Sequence, residues 1–167
     1  MDSAGLGEAG IEWLQQQFGD QVRVGLDGQV QWLGSRIKDY VRRSVGGETL
    51  KSLRLGVATK AAVERATEAG VEIEGCELIL ESGIVRKIAR DHGPSETWEG
   101  QAPLTSLDIE MIPHVWRSPA SVVRGHPKAT SALFKKRLLG TLIMVEHAIE
   151  GSKRRVGVKS VYKKTSP

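Results

Sequence analysis

Three runs close the chain: SALFKKRLL, TLIMVEHAI and RRVGVKSVY. Each is rich in aliphatic and β-branched residues, and they are separated by Leu139-Gly140 and Glu150-Gly151-Ser152. Runs of this length between glycine turns read as strands, and the short connections make an antiparallel meander the economical topology. Alternation then puts Phe134, Lys136 and Leu138 on one face of the first strand, and Leu133, Lys135, Arg137 and Leu139 on the other. A cation inside such a layer costs desolvation unless an anion meets it, either Glu146 across the turn or a bound phosphate. In the last run, Val156, Val158, Ser160 and Tyr162 are expected on one face, with Arg155, Gly157, Lys159, Val161 and Lys163 on the other.

The preceding segments alternate between periods. IEWLQQQF, residues 11–18, and VQWLGSRIKDYVRRSV, residues 30–45, carry apolar residues at helical spacing. QVRVGLDGQVQ between them alternates around Asp27-Gly28, a hairpin signal. SLRLGVAT reads as a strand and KAAVERATEAG as a helix closed by Gly70. VEIEGCELILES reads as a second extended run. Ser82 is placed to cap GIVRKIARDH, which His92-Gly93-Pro94 stops. Thr105 or Ser106 opens a short helix over 106–112 ending before Pro113, and SVVRGH is a loop or short extended piece. Helices followed by a small antiparallel sheet make an α+β domain. Gly46-Gly47 is the likeliest break. Residues 1–49 are then a helical or mixed N-terminal extension, 50–163 the main domain and 164–167 a frayed tail. Trp13, Phe18, Trp32 and Tyr40, half of the eight aromatics, argue that the extension packs on that domain or on a second copy.

The single cysteine, Cys76, excludes an internal disulfide and reads as a small buried apolar group. No apolar run is long enough to span a membrane and no leader is visible, so a cytoplasmic location and no membrane partner are expected. Charge is unevenly placed. From Arg124 onward there are eleven Lys and Arg against two acids, whereas the preceding residues have thirteen basic against eighteen acidic. A basic C-terminal quarter can hold phosphates whatever their sequence, or it can be a solvated surface with a basic tail.

No metal motif, phosphate-binding loop or nucleophile elbow is present, and the four histidines share no helical metal spacing. Neither a cofactor nor a metal is expected; chemistry would fall to side chains alone. His92 is the leading candidate. At a helix C-terminus the macrodipole favours its imidazolium, suiting it to proton transfer or simply to that position.

Several elements together resemble one family: LRLGVAT, a helix of form IxxxIxxxHG, TSLDIEMIPHVWRSP, FKKR, a strand ending VEH, and KSVY. The stretch 50–163 is similar to the phage barnase/EndoU/colicin/RelE-like nuclease domains. The agreeing positions are His92-Gly93, Asp108 to Pro113, Pro119, Lys136, Glu146 and Ser160-Val161-Tyr162. Lys87 stands where related chains often carry a histidine. The resemblance implies metal-independent RNA cleavage through a 2′,3′-cyclic phosphate. It implies His92 as general acid or base, Lys136 as a phosphate clamp, Ser160 and Tyr162 as orienting hydroxyls, and Glu146 as a second acid-base group or the partner of Lys136. Lys87, Lys135, Arg137, Arg154, Arg155 and Lys159 are the candidate nucleic-acid contacts. RNA, tRNA included, is the expected partner, with a phage structural protein or an inhibitor as a further one, in the cytoplasm or a virion. The competing expectation is a non-catalytic head or virion module that binds nucleic acid or protein through its basic sheet.

Overall fold

The structure, a computed structural model, describes residues 22–24, 26, 30–32, 36–93, 102–125, 130–138 and 141–165. The expected helix over 11–18 and the Leu139-Gly140 turn lie outside them. The strands expected on either side of Asp27-Gly28 pair: β1 (Val22–Val24) runs antiparallel to β2 (Val30–Trp32), Val22 opposite Trp32, while Asp27 and Gly28 themselves lie outside the described residues. The helix expected over 30–45 therefore starts later, as α1 (Arg36–Val45), because cross-strand bonds already claim the backbone of 30–32. In α1, Ile37, Tyr40, Val41 and Ser44 form one buried stripe. The Tyr40 hydroxyl donates to the Leu80 carbonyl at 3.1 Å. Ile37, Tyr40 and Val41 belong to the same core as the rest of the chain, so this part of the N-terminal extension does pack on the main domain.

The strands and helices that follow interleave, in place of the expected order of helices first and then sheet. β3 (Leu53–Val57) leads into α2 (Lys60–Glu68), β4 (Glu77–Leu80) into α3 (Ser82–His92). Next come α4 (Ser106–Glu110), α5 (Ile112–Arg117), β5 (Ser121–Arg124), β6 (Ser131–Leu138), β7 (Thr141–Glu150) and β8 (Arg155–Thr165). The C-terminal runs do form an antiparallel meander. The sheet is larger, however: six strands in the order β3-β4-β8-β7-β6-β5, with β8 parallel to β4. The fold is mixed α+β.

Local signals fare unevenly for stated reasons. Thr59 caps α2 by accepting from the Ala62 N–H, and Gly70 follows at φ +76, as its place after the helix requires. The extended run over 71–82 shrinks to Glu77–Leu80, because Gly75 at φ +73 turns the chain first. Ser82 is not the cap of α3. Glu81 holds that position, and the Ser82 hydroxyl instead accepts from the Leu50 N–H at 3.0 Å. Gly93 ends α3 without left-handed backbone; its value is close approach, since a Cβ there would lie 2.1 Å from the Ala89 carbonyl oxygen. Thr105 and Asp108 form the capping box of α4. Pro113 does not stop that helix. It sits in the first turn of α5, where a missing N–H costs nothing. SVVRGH supplies β5, paired with β6. Residues 164 and 165, assigned above to a tail, close β8 opposite Leu142 and Thr141.

The core fills the space between one face of the sheet and the helices. Trp116 and Phe134 stack at 5.6 Å between ring centres, and the Trp116 indole N–H donates to the Gly56 carbonyl at 3.2 Å. His147 lies fully buried beside both rings, 4.4 Å from Phe134 and 5.6 Å from Trp116. Among the described residues neither of its ring nitrogens has a hydrogen-bond partner of good geometry, and burial pushes its pKa down to about 3.

Candidate acid-base cluster on the outer part of β8

One irregularity in β8 decides which side chains meet. Ser160 lies opposite Glu146, but Val158 lies opposite His147, so Lys159 is an extra residue bulged out of the ladder. Side chains alternate, and one inserted residue exchanges the faces beyond it. Val156 and Val158 accordingly face the helices together with Val161. Ser160 and Tyr162 point to the opposite face. The expectation that all four would share one face is thus corrected, while the pairing of the two hydroxyls on one face stands.

β4 pairs with β8 only from Arg155 to Gly157, which leaves that edge of the later residues to other partners. The end of α3 and the segment after it fill the place. The Ala102 N–H donates to the Lys163 carbonyl at 2.8 Å, and the Leu104 N–H to the His92 carbonyl at 2.7 Å. His92 is thereby held beside β8, its ring edge-on to Tyr162 at 4.7 Å between centres. The Tyr162 hydroxyl donates to Glu146 Oε2 at 3.4 Å, and Lys159 Nζ lies 3.4 Å from Glu146 Oε1. Ser160 is the direct cross-strand neighbour of Glu146. Of the five residues singled out for chemistry, His92, Glu146, Ser160 and Tyr162 come together, and Lys159 joins them.

Lys136 does not. It pairs with Ile143 and shares the helix-facing side with Phe134, whereas Glu146 pairs with Leu133 on the other. The pairing of Lys136 with Glu146 considered above is overturned, because positions of opposite parity lie on opposite sides of a sheet. Burial alone pushes the Lys136 pKa down. On the helix-facing side Lys163, across Ile143 from Lys136, bonds Asp108 Oδ2 at 2.9 Å. Burial pushes the Asp108 pKa up, but the Thr105 backbone, Lys163 and the Thr105 hydroxyl together bring it below the usual value.

The remaining candidates are dispersed. Lys87 is on the exposed side of α3, and Lys135 and Arg137 are on the same sheet face as Tyr162. Arg155 is tied to Glu150 at 2.6 Å, at the opposite end of β8. Arg154, left-handed at φ 51, offers its carbonyl to the Glu77 N–H. Glu77 escaped the sequence reading. Buried to 1%, it accepts from Arg23 Nε and Nη2 at 2.5 and 2.7 Å, from Arg54 at 3.2 Å and from the Gly56 N–H at 3.1 Å. A lone acid inside the apolar run CELIL was its signal, since a buried carboxylate demands partners. The Asp108–Lys163 pair had no comparable signal.

Among the described residues, no group of three or more His, Cys, Asp or Glu could hold a metal, and no helix is long and apolar enough to cross a membrane. No protein-family model, curated protein or solved structure matches this chain.

Proposed function

We propose that the protein is a metal-independent ribonuclease whose site is the His92, Tyr162, Glu146, Ser160 and Lys159 cluster. The observation that carries this reading is that Tyr162 touches both His92 and Glu146, bringing two groups able to transfer protons to one place on β8. One of the pair removes the ribose 2′-hydroxyl proton as that oxygen attacks phosphorus. The other protonates the departing 5′-oxygen as the P–O5′ bond breaks, leaving a 2′,3′-cyclic phosphate. Lys159 supplies positive charge for the phosphoryl oxygens, and the Ser160 and Tyr162 hydroxyls orient them. The resemblance to the phage nuclease domains supports the same chemistry, with Lys159 in the role that it had implied for Lys136.

The test is incubation with end-labelled RNA in EDTA and analysis of the product ends. Wild type is expected to cut and leave cyclic phosphates, with His92→Ala and Glu146→Gln each slower by about 100-fold or more. Cleavage unaffected by either substitution would overturn the assignment. One observation favours the alternative, a non-catalytic module binding nucleic acid through its sheet: Lys136, the implied clamp, lies across the sheet from the cluster. RNA binding without any cleavage would establish that alternative.

A further inference from the structure

The basic residues of the last quarter are not equivalent once their partners are known. Arg155 is held by Glu150, Lys159 by Glu146 and Lys163 by Asp108. Lys135, Lys136 and Lys164 have no ion-pair partner among the described residues, and all three stand at the same end of the meander. That end is formed by the close of β6, the start of β7 and the close of β8. Lys135, Met144 and Tyr162 occupy one cross-strand row, so Lys135 is two strand spacings, about 10 Å, from the tyrosine backbone. Lys164 is two residues beyond Tyr162 on the same face, about 7 Å along the strand. Lys136, the next residue in β6, lies on the other, helix-facing side, half-buried, where an anion would relieve the cost of its desolvation.

We infer that Lys135, Lys136 and Lys164 form a phosphate-binding rim for an extended single-stranded RNA, engaging nucleotides that flank the one at the acid-base cluster. Three cations spread around a sheet end match a string of phosphates better than one small anion, and a flexible single strand can follow them from face to edge. The inference rests on the ribonuclease reading for what lies at the cluster, but not for the binding itself. It makes long oligonucleotides better ligands than dinucleotides.

Anisotropy of an end-labelled single-stranded RNA with the full chain, over a salt series, tests it. Combining Lys135→Gln, Lys136→Gln and Lys164→Gln is expected to reduce the slope of log affinity against log salt by about 2, at ~0.7 for each phosphate no longer neutralised. Replacement of the same three by arginine is expected to preserve it. Lys153→Gln, at the opposite end of β8, is expected to leave the slope unchanged. A wild-type slope in the triple glutamine variant, or a fall in the slope with Lys153→Gln, overturns the rim. Should the triple variant melt early, exposed Lys164→Gln alone carries the test, with the slope reduced by about 0.7. Binding with the expected slope but no cleavage by wild type would sink the ribonuclease reading and leave the rim standing.

Discussion

Two histidines against the same sheet show how completely surroundings decide what a side chain is for. His147 in β7 is sealed among Trp116 and Phe134, has no hydrogen-bond partner among the described residues and is kept neutral by burial. His92 closes α3 at a partly open seam, edge-on to a tyrosine that reaches a glutamate. The first behaves as an awkward aromatic in a packed core. The second is the one for which we propose proton transfer. The difference arises because a close-packed interior penalises every unpaired polar atom, whereas at the seam the ring is half-exposed with a tyrosine beside it.

The comparison breaks most readily at the core. Trp116→Ala should cost about 3–5 kcal/mol, from the cavity left and the missing packing on Phe134 and His147, read as a large fall in melting temperature. His92→Ala should instead leave the melting temperature close to wild type while abolishing cleavage; equal destabilisation by the two would make His92 structural. Next is Glu77→Gln, expected to cost about 3–5 kcal/mol by removing the buried charge that Arg23 and Arg54 pair with, checked by chemical denaturation.

His147 sharpens the contrast through pH. Its folded pKa, about 3, lies below the ordinary 6.5, so the unfolded chain takes up a proton that the folded chain refuses. Stability should therefore fall as pH drops below about 6.5 and continue falling toward 3, and His147→Met should flatten that part of the curve. The smallest effect is expected at Asp108→Ala, about 1 kcal/mol from loss of the capping box, plus release of Lys163.

Much of this was legible before folding. Alternation around Asp27-Gly28 foretold the paired strands on either side, Thr105 or Ser106 foretold a helix start there, and three glycine-bounded runs foretold the meander, because each depends on residues adjacent in the chain. His92 at a helix end, Glu146, Ser160 and Tyr162 were named from the sequence. Their mutual contact was not.

Local chemistry settled the paired strands near the N-terminus, the helix start at Thr105 and the run of C-terminal strands, since those interactions close within a few residues. Tertiary structure alone decided the rest. The bulge at Lys159 sends Ser160 and Tyr162 to the face of Glu146, the opposite parity strands Lys136 across the sheet, and β4 joins β8 in parallel. No residue encodes those outcomes by itself. They follow from register, and register is set by how the whole apolar surface packs against the helices.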